Sequence, residues 1–115
     1  MASSFDLYSW ECRRYRVVVD TDTDPTGDTV EFAVQADDGS PPGPDDPASW
    51  TAGSWIGTYD ATADEATAQT PTFGTSESSP APDVTLVEGT TYRLMARVRN
   101  ATDAPGDVIA TLRVL

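Results

Sequence analysis

The chain has 115 residues, enough for one domain around a single core. Nineteen acids stand against seven basic residues, giving a net charge of −12 and a pI near 4.1, so no overall positive field exists to draw nucleic-acid phosphates. No run approaches the roughly 18 apolar residues that a membrane-spanning helix needs. The opening MASSFDLYSWECRRY lacks a basic-then-apolar leader pattern, and the single Cys12 has no internal disulfide partner.

Residues 1–13 read as an N-terminal arm ahead of a domain spanning 14–115. The first predicted strand covers 14–20. Its alternation puts Tyr15, Val17 and Val19 on a core face and leaves Arg14 and Arg16 outside, with Arg13 on the opposite parity. The segment Asp20-Thr-Asp22-Thr-Asp24, with Glu31 in the twelfth position, imitates a calcium loop. The sixth position of such a loop needs glycine for a sharp turn and here holds Pro25, so no metal site is expected. Asp24-Pro25-Thr26-Gly27 instead has proline and glycine where a β-turn wants them.

The second predicted strand, 29–36, alternates Val30, Phe32, Val34 and Ala36 against Glu31, Ala33 and Gln35. The loop 37–49, DDGSPPGPDDPAS, is long and polar. Trp50 and Trp55 flank Thr-Ala-Gly-Ser. On a strand over 54–59, Trp55 fits the core tryptophan of a sandwich, with Tyr59 on the same parity. An exposed Trp10, Trp50 or Tyr59 would also suit a sugar-binding face. A strand over 67–73 contains Pro71, which confines it to a sheet edge. A second polar loop follows at 74–83. Strands over 84–87, 91–100 and 108–115 close the series.

In the turn Leu86-Val-Glu-Gly89-Thr-Thr-Tyr92, a tyrosine stands where sandwiches of the immunoglobulin kind tie a hydroxyl back to the backbone. Over 91–100, Tyr92, Leu94, Ala96 and Val98 take the inward parity, leaving Arg93, Met95, Arg97 and Arg99 outside. Over 108–115, Val108, Ala110, Leu112 and Val114 point inward, and Ile109, Thr111, Arg113 and Leu115 point out.

Seven short strands, broken by Gly/Pro turns and without helical periodicity, predict an all-β chain: a single immunoglobulin-like antiparallel β-sandwich. All seven basic residues are arginine, all fall in three short strand-like stretches, ECRRYRVVV, TYRLMARVRN and IATLRVL, and six share the outward parity while Arg13 breaks it. In an immunoglobulin-like order the first, sixth and last strands lie side by side. Arg14, Arg16, Arg93, Arg97, Arg99 and Arg113 would then merge into one partner-binding face. The competing reading is that arginine is a good solvent-facing strand residue, its stem covering apolar surface and its charge discouraging edge pairing. Under the docking reading, reversing Arg93 and Arg97 to glutamate leaves stability intact and abolishes binding to an acidic partner.

The inventory argues against an enzyme. Without histidine or lysine the usual bases and nucleophile activators are missing, and the acids sit in polar turns with little burial to raise a pKa. Asn100-Ala-Thr102 matches a glycosylation acceptor, read as chance in a chain without a leader.

Four groups of residues follow one another in a suggestive order: Asp24-Pro-Thr-Gly-Asp-Thr-Val-Glu-Phe-Ala33, Trp50-Thr-Ala-Gly-Ser-Trp55, Gly89-Thr-Thr-Tyr92 with Arg97-Val98, and Ala104-Pro-Gly with Leu112-Arg-Val114. The succession resembles small β-sandwich proteins encoded among the head genes of tailed bacteriophages of GC-rich hosts, over roughly Arg14 to Val114. That resemblance implies a non-enzymatic virion protein without cofactor, assembled in the host cytoplasm. Such a protein decorates and stabilises the capsid by docking on the major capsid protein or another virion protein, or stands near the head–tail junction, and can form a homo-oligomer. The alternative from another class is a soluble binding module that recognises a carbohydrate or surface receptor through its aromatic residues and loops.

Overall fold

The structure, a computed structural model, describes residues 3–21, 23–37, 50–99 and 107–115, with the backbone alone at 3, 99 and 107–110. The described residues are all β, with ten strands and no helix. In chain order these are β1 (Ser3–Leu7), β2 (Arg16–Asp20), β3 (Thr29–Ala36), β4 (Thr51–Ala52), β5 (Ser54–Asp60), β6 (Glu65–Gln69), β7 (Phe73–Thr75), β8 (Val84–Leu86), β9 (Thr91–Arg99) and β10 (Asp107–Val114). A five-stranded sheet runs β1-β10-β9-β3-β4, a three-stranded sheet β2-β6-β5, and β7 pairs with β8. Among these residues no helix is long and apolar enough to cross a membrane.

The period-two patterns explain the core. Val30 and Phe32 of β3, Leu94 of β9, Leu112 and Val114 of β10 and Leu7 of β1 turn to one side of the large sheet. There they meet Tyr15, Val17, Ala68 and Trp55 from β2, β6, β5 and their flanks, with Phe73 and Leu86 of the small sheet closing the cluster. Each fully buried Leu or Phe in that cluster contributes about 1.5–3 kcal/mol. The inward parities expected of Tyr15, Val17, Leu94, Leu112 and Val114 hold. Tyr92 packs on the same core, and its hydroxyl accepts the Val87 N–H at 2.9 Å, tying the turn before β9 to that strand.

Between β4 and β5 the chain leaves the large sheet for the three-stranded one with a single intervening residue, Gly53. The Gly53 N–H donates to the Val30 carbonyl at 2.9 Å. A Cβ at this position would strike the Phe32 ring and the Gln69 carbonyl, so the crossover needs glycine.

Four expectations need correction. The segment 1–13 is not an arm outside the sheets: β1 pairs with β10 in parallel, Phe5 opposite Leu112 and Leu7 opposite Val114, and Leu7 is fully buried. With β7 and β8 also parallel, the assembly is not purely antiparallel. The segment over 67–73 is not an edge strand either. It divides, because β6 ends at Gln69 before the proline and sits in the middle of its sheet, while Pro71 lies outside any ladder and loses no bond. Finally, on β9 the outward parity is not wholly solvent: Met95 is 1% and Ala33 opposite it 5% exposed.

Candidate functional site

The arginines do not form one face. Arg16 is exposed at the start of β2, in the three-stranded sheet, and Arg14 is exposed just ahead of that strand, whereas β9 and β10 belong to the five-stranded one. The strand beside β10 is β1, which the sequence pattern missed. SSFDL has no β-branched residue to mark it, so the alternation in the sequence begins with β2.

On β9, Arg97 lies directly opposite Glu31 of β3 and donates from Nε to Glu31 Oε1 at 2.9 Å. The two side chains are only 14% and 13% exposed. The guanidinium carbon stands 4.2 Å from the centroid of the Trp50 ring, a cation–π contact that also covers that tryptophan. Arg97 is therefore a packed structural residue, and it occupies one face of the Trp50 ring. Arg93, four residues earlier on the same strand, is half-buried. On β10, Arg113 is exposed but grips Asp6 of β1 with two hydrogen bonds, Nε to Oδ1 at 2.8 Å and Nη2 to Oδ2 at 3.1 Å. Arg13 stands 3.7 Å from Glu11. The Arg99 side chain lies outside the described residues, as do Asp22, the loop 38–49, the Asn100–Thr102 acceptor and Ala104-Pro-Gly.

The carboxylates serve turns. Asp24 accepts the Thr26 N–H at 2.9 Å and the Thr26 hydroxyl at 2.7 Å, bonds that hold its carboxyl below the usual range. The Asp28 N–H closes that turn on the Pro25 carbonyl at 3.0 Å. Asp83 accepts the Thr72 N–H at 3.2 Å while its own N–H donates to Thr72 Oγ1 at 2.8 Å. This reciprocal clasp likewise lowers its pKa. Asp60 accepts from the Thr62 and Ala63 N–H groups. Among the described residues no three potential metal ligands gather.

Of the aromatic candidates, Trp55 packs on the core and donates from Nε1 to the Asp28 carbonyl at 2.9 Å, and the Tyr59 hydroxyl donates to the Thr21 carbonyl at 2.8 Å. Trp10 differs. It is 65% exposed and stacks on Tyr8 with ring centroids 4.9 Å apart and planes at 14°. The turn carrying the pair is fixed from several sides. The Tyr8 N–H donates to Glu11 Oε1, the Glu11 N–H to the Tyr8 carbonyl, the Thr75 hydroxyl to the Ser9 carbonyl and the Ser78 hydroxyl to the Glu11 carbonyl.

Leu115 is joined to the same end by its N–H bond to the Leu7 carbonyl. The turn bearing Val87 is joined to it by the Gly89 N–H bond to the Val114 carbonyl. Tyr8, Trp10, Val87 and Leu115 are thus four of the five large apolar side chains exposed among the described residues, and they border one end of the molecule. A groove of about 400 Å³ opens beside Val87, between 75–77 and 85–88. Sequence reasoning found Trp10 and the outward Leu115 but not their association, because β1 is what brings residues 8–10 to the end of β10. No protein-family description, curated protein or solved structure matches the chain.

Proposed function

We propose that the chain is a non-enzymatic virion structural protein, a capsid-decorating sandwich of the immunoglobulin kind that docks on the major capsid protein of a tailed-phage head. The strand order supports the fold assignment. β10-β9-β3 with β4 beyond them corresponds to strands G, F, C and C′ of such domains, β2-β6-β5 to B, E and D, and Tyr92 to the tyrosine that fixes the turn before strand F. The sequence succession quoted above supports the virion assignment. A place at the head–tail junction would use the same docking chemistry at lower copy number.

The observation that carries docking is the apolar end formed by Tyr8, Trp10, Val87 and Leu115. Large apolar groups gathered on an otherwise acidic surface mark an interaction site, and a stacked, turn-fixed aromatic pair loses little entropy on contact. The arginine face gives way to this end, since Arg97 and Arg113 are held by carboxylates of their own chain.

The test is copurification of the Tyr8→Ala, Trp10→Ala variant with purified heads. Loss of aromatic anchors is expected to weaken binding by about 2 kcal/mol or more, with little change in melting temperature. Undiminished binding would show that this end does not dock. The same exposed ring pair favours the second reading, stacking on a sugar. Glycan binding by the parent, lost in the variant, without any binding to heads, would select it.

A further inference from the structure

The outer face of the three-stranded sheet is patterned in rows. The register places Arg16 opposite Gln69 and Gln69 opposite Ser54. The next outward row is Val18, Thr67 and Ile56, and the last is Asp20, Glu65 and Asp60. Val17, Ala68 and Trp55 pack on the core and Ala66 is buried, so their alternate neighbours share the opposite side; Asp60, which follows a register shift after Ile56, is exposed at the same end beside Glu65. One end row consists of hydrogen-bond donors, the other of carboxylates, and the middle row is largely apolar, with Val18 54% exposed.

Among the described residues Arg16, Asp20 and Glu65 make no ion pair and no side-chain hydrogen bond, unlike Arg13, Arg97 and Arg113. Asp20 and Glu65 stand directly across from each other, a like-charge pairing that destabilises a sheet left to itself.

We propose that this face binds a second copy of the chain in a twofold-symmetric dimer. A twofold axis lying along the Val18–Thr67–Ile56 row superposes each end row of one copy on the opposite end row of the other. Arg16 then meets the partner copy's Asp20, flanked by Glu65. Gln69 meets Glu65, Ser54 meets Asp60, and the apolar rows meet at the centre. Every donor of one end finds an acceptor, and the Asp20–Glu65 repulsion is relieved by an arginine. Such self-complementarity is what an isologous interface requires, and aligned sheets pack face to face in this way.

Three strands about 4.8 Å apart and five residues of about 3.4 Å rise make a small patch, so the dimer is reversible and not permanent. The net charge of −12 opposes approach. That repulsion acts over distance and is screened at about 0.1 M salt, where contacting pairs still persist. The face uses none of the residues of the Tyr8–Trp10 end, so the dimer and head docking stand or fall separately.

The experiment is sedimentation equilibrium at about 0.1 M salt up to about 1 mM protein, the limit of weak association. The parent is expected to reach a dimer and stop there. Arg16→Glu is expected to be monomeric, its dissociation constant raised on the order of tenfold or more. Asp20→Arg with Glu65→Arg is expected to be monomeric as well. An equimolar mixture of these two variants restores both charged contacts and is expected to form a one-to-one heterodimer. All substitutions are at exposed sites, and far-ultraviolet circular dichroism checks that each variant is folded. A monomeric parent, a dimer untouched by Arg16→Glu, a mixture that fails to pair, or open-ended polymers would each overturn the proposal.

Discussion

At the scale of single residues, position decides what the same side chain does. Arg16 and Arg97 have the same outward parity on paper. Arg97 is clamped between Glu31 and Trp50, and Arg16 makes no ion pair among the described residues. Arg97→Glu sets a second carboxylate directly opposite Glu31 and removes both the charge-assisted bond and the cation–π contact. A loss of about 3 kcal/mol or more is expected in urea denaturation. Arg16→Glu should stay within about 0.5 kcal/mol, as ordinary surface changes do. Equal, small effects would mean the Arg97 cluster is unimportant to stability.

Tyr15 offers a residue-scale test of pH dependence. Its hydroxyl is buried without a hydrogen-bond partner among the described residues, against Phe5 and Phe73. Burial is the main cause that pushes its pKa above 10, with Arg13 opposing. A pKa raised in the folded state means the contribution is full below the unfolded value and lost as pH rises through the folded one. Melting temperatures should therefore fall above about pH 10. Tyr15→Phe should flatten that fall and be neutral or stabilising by up to about 1 kcal/mol at pH 7, because an unsatisfied buried group is removed. A destabilised variant with an unchanged alkaline limb would refute this.

At the scale of strands and turns, β1 is the element on which most else depends. It places Leu7 in the core, stacks Phe5 on Tyr15 with centroids 4.6 Å apart, and supplies Asp6 to Arg113. Leu7→Ala is expected to cost about 2–5 kcal/mol in a denaturant titration. A residue of a detached arm would cost under about 0.5 kcal/mol.

The strands that were legible in the sequence are those with β-branched residues and clean alternation, RVVVD and TVEFAVQA, because each needs one face in the core. β1 was hidden for the opposite reason: Ser3, Ser4 and Asp6 carry no β preference, and the strand exists through its partner β10. The two-residue β4 and three-residue β7 are too short to show a period. The register slip between Val108 and Ala110 also cannot be read from alternation, since it depends on how β10 meets β9. Missing β1 makes β2 the first strand of the expected order, and that single error sets Arg16 in the wrong sheet. The candidate site suffered most, because a surface patch is a property of sheet order and not of any one strand.

At the scale of the whole molecule the governing quantity is charge. Nineteen acids face seven arginines, and at least three of those arginines are already engaged locally. Salt has two opposing effects on such a chain. It weakens ion pairs, most of them exposed here and each worth under about 1 kcal/mol. It also screens the mutual repulsion of an uncompensated −12, which acts on every acid at once. The second effect reaches further, so the melting temperature is expected to rise with sodium chloride up to about 0.5 M.

Calcium separates general screening from a bound ion. The Asp20–Asp24 turn has Pro25 at the position where a calcium loop needs glycine, and Asp24 spends its carboxylate on Thr26. Calcium and sodium salts at equal ionic strength should therefore give nearly the same melting curve, and a chelator should leave it unchanged. A calcium-specific rise of several degrees, saturating at millimolar ion, would place a cation on those aspartates. A melting temperature that falls with added sodium chloride would show that ion pairs outweigh the repulsion.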